Sequence, residues 1–160
     1  MADAPEHAFS YHRAIAPMLW AFVALASIEL VVVHLLLAHW SRTAALILSA
    51  LSLATIVWLV GVIRGFRRLP VLLTPDALVM RVGALKGAAV PLGDVAGLRA
   101  SWDAEWLRRR DVLNLALIAY PNVVVELRRP VPIGKRAVTA IAHRLDDPLA
   151  FAAALVRAVA

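Results

Sequence analysis

The sequence predicts a membrane α-helical hairpin followed by a small, mostly antiparallel β domain that ends in a helix. Two long apolar runs, residues 14–38 and 44–63, are separated by only five residues. Short β-type segments divided by turn residues follow the second run. A helix-start signal, Asp147-Pro148, follows the last of these segments. Hydrophobic residues make up 62% of the chain, which agrees with a membrane protein.

Both apolar runs have the length of a membrane-spanning helix. About 20 apolar residues are needed to cross the hydrocarbon core, and both runs reach that length. Inside lipid the backbone must satisfy its own hydrogen bonds, so each run is predicted to be helical. Buried helices of a soluble protein are the alternative, but these runs are apolar on every face. A cleaved signal peptide is disfavoured because the first run is too long and its leading segment contains Asp3 and Glu6.

The charges beside the runs predict the orientation of the hairpin. Arg64, Arg67 and Arg68 follow the second run, and Arg13 precedes the first. The connection between the runs contains a single arginine, Arg42. Positive charge favours the cytoplasmic side of a membrane. The sequence therefore predicts that both termini are cytoplasmic and that the connection lies outside.

Glu29 is the acidic residue within the predicted spans, near the middle of the first. Folding about the connection places it level with Ser52, and Ser49, Ser52 and Thr55 form a polar stripe on the second helix. We expect Glu29 to hydrogen-bond across the hairpin or to another subunit. A proton or ion path through Glu29 is the alternative. His34, five residues further on, is expected to point elsewhere.

After the arginines the pattern changes to short strands divided by turns, which is typical of an antiparallel sheet. Thr74, Pro75 and Asp76 predict a tight turn. Residues 120–122 predict a hairpin. The strands are predicted at residues 69–74, 78–82, 88–91, 95–100, 112–119, 123–128 and 137–145.

A C-terminal helix is predicted from its start signal. Asp147 is a suitable N-cap and Pro148 suits the first helical position. One face of this helix is apolar and should cover the sheet. The residues assigned to that face are Leu149, Ala152, Ala153, Val156 and Val159.

Four short segments in the second half of the sequence contain turn and helix-cap signals. They follow one another in the order found in a known family of domains. They are Leu-Thr-Pro-Asp-Ala-Leu-Val-Met-Arg (73–81), Val-Pro-Leu-Gly-Asp-Val (90–95), Asn-Val-Val-Val-Glu-Leu (122–127) and Asp-Asp-Pro (146–148). On these signals, residues 69–159 resemble the pleckstrin-homology-like (PH-like) domains of small bacterial membrane proteins. The resemblance implies a bent antiparallel barrel capped by the C-terminal helix, with an adaptor or assembly role. Phosphoinositide binding is not implied, because the 74–77 turn contains no basic residue.

The domain organisation follows from these patterns. Residues 1–13 are predicted to be a short cytoplasmic tail. Residues 14–63 are predicted to form the two transmembrane helices, and residues 69–160 to form the PH-like cytoplasmic domain. The resemblance and the hairpin together predict a multi-pass protein of the bacterial inner membrane.

Residues 101–110 break the strand pattern of the domain and form the predicted functional site. Ser101 is predicted to cap a short helix, in which Trp102 and Trp106 share a face. Three interpretations stay open. The tryptophans could cover the barrel beneath solvated arginines, form a protein-binding surface, or contact the membrane. The basic residues of this surface are Arg108, Arg109 and Arg110, with Arg64, Arg67 and Arg68 beside the second span.

Other classes of function are disfavoured by what the sequence contains. The net charge of +6 is scattered and no nucleic-acid recognition motif is visible. Without cysteine, the sequence offers no thiolate nucleophile and no Cys-type zinc site. No phosphate-binding loop, dinucleotide-binding glycine pattern or zinc-protease motif occurs, and His143 lies inside a predicted strand. We therefore expect no catalytic site, no cofactor and no metal.

The resulting expectation is a non-enzymatic accessory or scaffold subunit that binds other membrane proteins, or copies of itself, through its helices and domain. Membrane lipids are the other expected contact. A membrane-surface sensor module that contacts lipid is the first alternative. A small ion- or proton-coupling component centred on Glu29 is the second.

Overall fold

The computed structural model describes residues 7–13 and 15–159 of the chain. The chain divides into two compact units. A helical unit comprises Ala14–Gly65, and a globular unit combines Met1–Arg13 with Phe66–Ala160. The predicted tail is therefore assigned, together with the domain, to one unit.

The helical unit consists of α1 (Ala16–Trp40) and most of α2 (Arg42–Arg68). Only Ser41 separates the two helices, so the connection is shorter than predicted. The hydroxyl of Ser41 accepts a hydrogen bond from the amide of Ala44 at 3.3 Å, which caps the start of α2. Both helices are long and apolar enough to span a membrane, and 6% of the most apolar 18-residue stretch of each is buried within the chain.

The first sheet of the globular unit has four strands in the order β1-β2-β3-β4, and every neighbouring pair is antiparallel. The strands are β1 (His7–Phe9), β2 (Val71–Leu73), β3 (Ala77–Val82) and β4 (Lys86–Pro91). The described part of the predicted tail thus contains a strand that pairs with β2. Aromatic side chains hold this segment in place, since the ring of Phe9 meets that of Phe151 edge-on at 5.2 Å.

The second sheet has four strands in the order β5-β7-β8-β6, and its outer pair β6–β8 is parallel. The strands are β5 (Val95–Leu98), β6 (Val112–Asn114), β7 (Val123–Ile133) and β8 (Arg136–His143). The hairpin predicted at residues 120–122 is wrong, because β6 pairs with β8 and not with β7. The antiparallel hairpin is instead β7–β8, which turns at Gly134.

Strand β7 continues past residue 128, the predicted end of this strand, and includes Pro130 and Pro132. Pro130 lies in the irregular stretch between Glu126 and Val131, where the register of β7 against β8 shifts. Such an irregularity accommodates a residue that lacks an amide proton. Pro132 is paired with Ala137 beyond it.

The strands of the described residues form two sheets that do not close into a barrel. The expectation of a single bent barrel is therefore corrected. A single 3-10 turn, Leu92–Asp94, joins β4 of the first sheet to β5 of the second. The mostly antiparallel character of the domain is confirmed, with β6–β8 as the parallel exception.

Helix α4 (Pro148–Val159) follows the second sheet, as predicted. The carboxylate of Asp147 accepts a hydrogen bond from the amide of Ala150 at 3.0 Å, which confirms the predicted cap. The predicted apolar face is wrong: Leu149 is 82% exposed and Val156 is 62% exposed. The buried residues are Phe151, Ala154 and Leu155. Because α4 is apolar on more than one side, its largest side chain, Phe151, determines which side packs.

Candidate functional site

The predicted short helix is α3 (Ala104–Leu107), and Asp103 starts it. The carboxylate of Asp103 accepts a hydrogen bond from the amide of Trp106 at 2.7 Å. The prediction that Ser101 caps this helix is wrong, because the helix begins two residues later than a Ser101 cap requires. The capping position is therefore 103.

Trp102 and Trp106 both pack against the second sheet. They are partly buried over one cluster of core residues. That cluster comprises Leu107, Val112, Val124, Ala140 and Ala142. The indole nitrogen of Trp102 is buried and has no hydrogen-bond partner among the described residues. The tryptophans therefore serve first as a cover for the β6–β8 region of the core.

Arg99 lies on the outer side of Trp106. Its guanidinium carbon is 4.6 Å from the centroid of the Trp106 ring, which is the geometry of a cation–π contact. The same guanidinium bonds the carboxylate of Glu126 at 2.6 Å. Trp106 is thus fixed between the core below it and a paired arginine beside it.

Arg109 forms a two-point ion pair with Asp111. Its Nε and Nη2 atoms donate to the two carboxylate oxygens at 3.0 and 2.8 Å. The hydroxyl of Thr139 donates to the same carboxylate at 2.7 Å. The hydrogen bond from Arg109, followed by that from Thr139, lowers the pKa of Asp111. The pair anchors the end of α3 to β8.

Arg108 and Arg110 are exposed, and neither takes part in an ion pair or a side-chain hydrogen bond within the described residues. We call Trp102, Trp106, Arg108 and Arg110 the α3 surface. It combines two exposed cations, which have no ion-pair partner among the described residues, with two partly buried indoles. Such a surface can bind an acidic partner without rearranging, since its aromatic residues are already fixed. Arg64, Arg67 and Arg68 are likewise exposed on the last turns of α2.

The polar residues of the hairpin are arranged differently from the prediction. The bond across the helices joins Nδ1 of His34 to the hydroxyl of Ser49 at 2.7 Å. Glu29 is exposed, and within the described residues its side chain bonds neither Ser52 nor any other group. Glu29 and His34 are five residues apart, which places them about 140° apart around the helix. Only one of them can face α2, and it is His34.

The remaining hydroxyls of the hairpin bond within their own helices. Thr55 donates to the carbonyl of Leu51 at 3.0 Å, and Ser27 donates to the carbonyl of Val23 at 2.7 Å. Ser52 is partly buried and has no side-chain bond within the described part of α2. Ser49 is therefore the member of the predicted polar stripe that the structure uses across the hairpin.

A buried polar pair, Tyr11 and His143, was missed by the sequence reasoning. The Tyr11 hydroxyl donates to the carbonyl of Leu69 at 3.0 Å and accepts from the amide of Gly83 at 2.5 Å. Nδ1 of His143 accepts from the amide of Arg144 at 2.7 Å, so Nε2 donates to the carbonyl of Arg81 at 3.0 Å. Burial lowers the pKa of His143 and raises the pKa of Tyr11. The alternation of Phe9 with Tyr11 was the available signal.

No match is found when the chain is compared with protein-family models, with curated proteins and with solved structures. Within residues 7–13 and 15–159, no group of three or more His, Asp or Glu side chains could hold an ion.

Proposed function

We propose that this chain is a non-enzymatic accessory or scaffold protein of the bacterial inner membrane, which binds other membrane proteins through its helices and a PH-like domain. The observation that carries the proposal is the pairing of β1, which precedes the helical hairpin in the sequence, with β2, which follows it. The mostly antiparallel sheets and the C-terminal helix α4 support a PH-like domain.

The surface of the hairpin supports the membrane location. A helix that is apolar on every side belongs either in a protein core or in a lipid bilayer. Only 6% of the most apolar stretch of α1, and of α2, is buried, so the described residues leave almost all of this surface uncovered. Lipid, or the helices of another membrane protein, would cover this surface.

The β1–β2 pairing supports the placement of both termini on one side of the membrane. His7 pairs with Leu73, and Phe9 with Val71, so the segment before α1 and the segment after α2 belong to one sheet. A sheet cannot form across a bilayer. The arginines at positions 13, 64, 67 and 68 favour the cytoplasmic side for that unit.

Glu29 supports a partner for the helices. It lies on the exposed side of α1, among side chains that suit lipid. A charged acidic side chain at the centre of a bilayer costs about 2.5–3.5 kcal/mol on insertion scales. A polar group from another membrane protein, or from a second copy, would offset that cost. Binding through α1 therefore explains why a carboxyl group is placed on this face.

The α3 surface is proposed to supply the second contact. Its two exposed cations, Arg108 and Arg110, favour an acidic region on the partner. The fixed tryptophans beside them supply apolar area at small entropic cost.

The test is mild-detergent co-purification of tagged full-length protein from its own membranes, followed by mass spectrometry. We expect a stoichiometric membrane-protein partner. Glu29→Gln should lower its recovery, and so should the double variant Arg108→Glu/Arg110→Glu. The control is Lys135→Glu/Arg136→Glu, a matched charge reversal at the exposed β7–β8 turn, which should leave recovery unchanged. Recovery of the chain alone, or a partner that is insensitive to all these variants, would contradict the proposal.

A lipid-contacting module is the second candidate. Exposed cations at Arg67, Arg68, Arg108 and Arg110 favour it, since each basic residue near an anionic leaflet contributes about 1 kcal/mol. Recovery with anionic lipid but without protein would support this candidate over the first.

A further inference from the structure

The loop between β6 and β7, residues 115–121, exposes three large apolar or aromatic side chains within four residues. Leu117 is 45% exposed, Ile118 is 57% exposed and Tyr120 is 52% exposed. Leu115 and Pro121, at the two ends of the loop, are buried. A stretch of exposed apolar residues between buried ends is a surface feature that commonly marks a binding site.

The stem of this loop is fixed by hydrogen bonds. The amide of Leu115 donates to the carbonyl of Ala142 at 2.8 Å, and the amide of Ala116 donates to the side chain of Asn114 at 2.9 Å. At the other end, Asn122 exchanges two side-chain hydrogen bonds with the backbone of Leu145, both at 2.8 Å. The tip is therefore held outward and does not lack backbone partners.

A series of contacts links the loop to Tyr11 and Phe66, which lie beside the two chain boundaries of the globular unit. Within this unit, the ring of Tyr11 lies 5.9 Å from that of Phe66 and 5.0 Å from that of His143. Arg144, the next residue after His143, donates to the carbonyl of Tyr120 at 3.1 Å.

Two cations flank the apolar tip. Arg144 contacts it directly, and Nζ of Lys86 donates to the carbonyl of Asn114, at the base of the loop, at 3.3 Å. Leu85, beside Lys86, is also exposed. Apolar and tyrosine side chains bordered by basic residues match the boundary between acyl chains and anionic headgroups.

We propose that residues 117–120 insert into the interface of an anionic bilayer, with Lys86 and Arg144 at the level of the headgroups. The insertion rests on the proposed membrane location of the helices. It adds a membrane contact on the domain itself, next to the α3 surface, since the hydroxyl of Tyr120 donates to the carbonyl of Trp102 at 3.3 Å. A partner protein that covers the same loop is the competing outcome of the test.

The experiment uses single-cysteine variants of the full-length chain, because the natural sequence contains no cysteine. Ile118→Cys is labelled with a polarity-sensitive fluorophore and reconstituted in vesicles of phosphatidylcholine and phosphatidylglycerol. The lipids include a nitroxide quencher near the headgroup. Val156→Cys is the matched control, since Val156 has similar exposure but borders Gly97 and Arg128 beside β5. Val57→Cys, in the middle of α2, reports insertion of the helices with a quencher placed deep in the acyl chain.

We expect a blue-shifted emission and several-fold stronger shallow quenching at position 118 than at position 156. In vesicles of phosphatidylcholine alone, the quenching at position 118 should fall. Deep quenching at position 57 without shallow quenching at position 118 would overturn the loop insertion while leaving the membrane location intact. Absence of quenching at position 57 would instead overturn the membrane location. A blue shift at position 118 without lipid quenching would indicate a protein cover and overturn the insertion.

Discussion

The ring of Tyr11 lies against the imidazole ring of His143, with 5.0 Å between the centroids and 53° between the planes. Tyr11 precedes the first helix of the hairpin, whereas His143 ends the last strand of the second sheet. The contact therefore joins the beginning of the chain to the end of the domain. Both side chains are fully hydrogen-bonded within the described residues.

Tyr11→Phe should destabilise the globular unit by about 1–3 kcal/mol, because it leaves the buried amide of Gly83 without its acceptor and the carbonyl of Leu69 without its donor. The measurement is denaturant unfolding of the full-length protein in micelles. Tyr120→Phe is the control, since its hydroxyl makes one exposed bond, to the carbonyl of Trp102 at 3.3 Å. That variant should change the free energy of unfolding by less than about 0.5 kcal/mol. Equal effects of the two variants would argue against the buried hydrogen-bond network.

Acidification should destabilise the globular unit through His143. Burial lowers its pKa, so the folded state keeps the imidazole neutral, whereas the unfolded chain takes up a proton near the ordinary value of 6.5. The stability contributed by His143 is therefore present above pH 6.5 and is lost as the pH falls towards the lower folded-state pKa. The slope approaches about 1.4 kcal/mol per pH unit for one proton.

The measurement for His143 is the unfolding free energy as a function of pH. His143→Gln should lower the stability at neutral pH and flatten the dependence on pH. A steep slope that persists in the His143 variant would assign the acid sensitivity to other groups.

Asp103→Ala should cost about 1 kcal/mol and loosen α3, because its carboxylate caps the helix through the amide of Trp106. Ser101→Ala should be nearly neutral, since Ser101 is exposed and outside the helix. Tryptophan fluorescence during unfolding reports both variants, as Trp102 and Trp106 flank the cap. A larger loss of stability in Ser101→Ala than in Asp103→Ala would indicate that Ser101 caps the helix.

Gly134→Ala should destabilise the β7–β8 hairpin by about 1–2 kcal/mol. Gly134 adopts φ +60, in the left-handed region that disfavours a Cβ atom. No heavy atom lies within 4 Å of a Cβ built there, so backbone strain is the sole cost. Gly93→Ala is the matched control, because its position is equally open and its φ is not positive. Unfolding midpoints that shift equally for the two variants would contradict the strain at Gly134.

Features determined by neighbouring residues were predictable from the sequence. The Thr74 turn forms as expected, with the amide of Thr74 bonded to the carbonyl of Ala77 at 2.9 Å. The Asp147 cap and the two long helices were also predicted, since capping chemistry and apolar length are local properties.

Features determined by distant partners were not predictable in the same way. The pairing of β1 with β2, and of β6 with β8, depends on segments far apart in the chain. The packed face of α4 depends on Phe9, which lies before the hairpin and meets Phe151. Within α1, a shift of five residues decides whether Glu29 or His34 faces α2. Composition does not decide between such alternative pairings or faces, because both alternatives fit the same local pattern.

The pairing of β1 with β2 has a consequence for biogenesis. During synthesis β1 leaves the ribosome before either helix, whereas β2 emerges only after both. Strand β1 therefore stays unpaired until both helices and β2 have been synthesised. If the helices cross a membrane, a chain that inserted only one of them would leave Tyr11 and His143 on opposite sides of that membrane. The domain would then lack Tyr11 in its core, and a chain left incompletely folded in this way would be a substrate for the proteases that remove unfolded proteins.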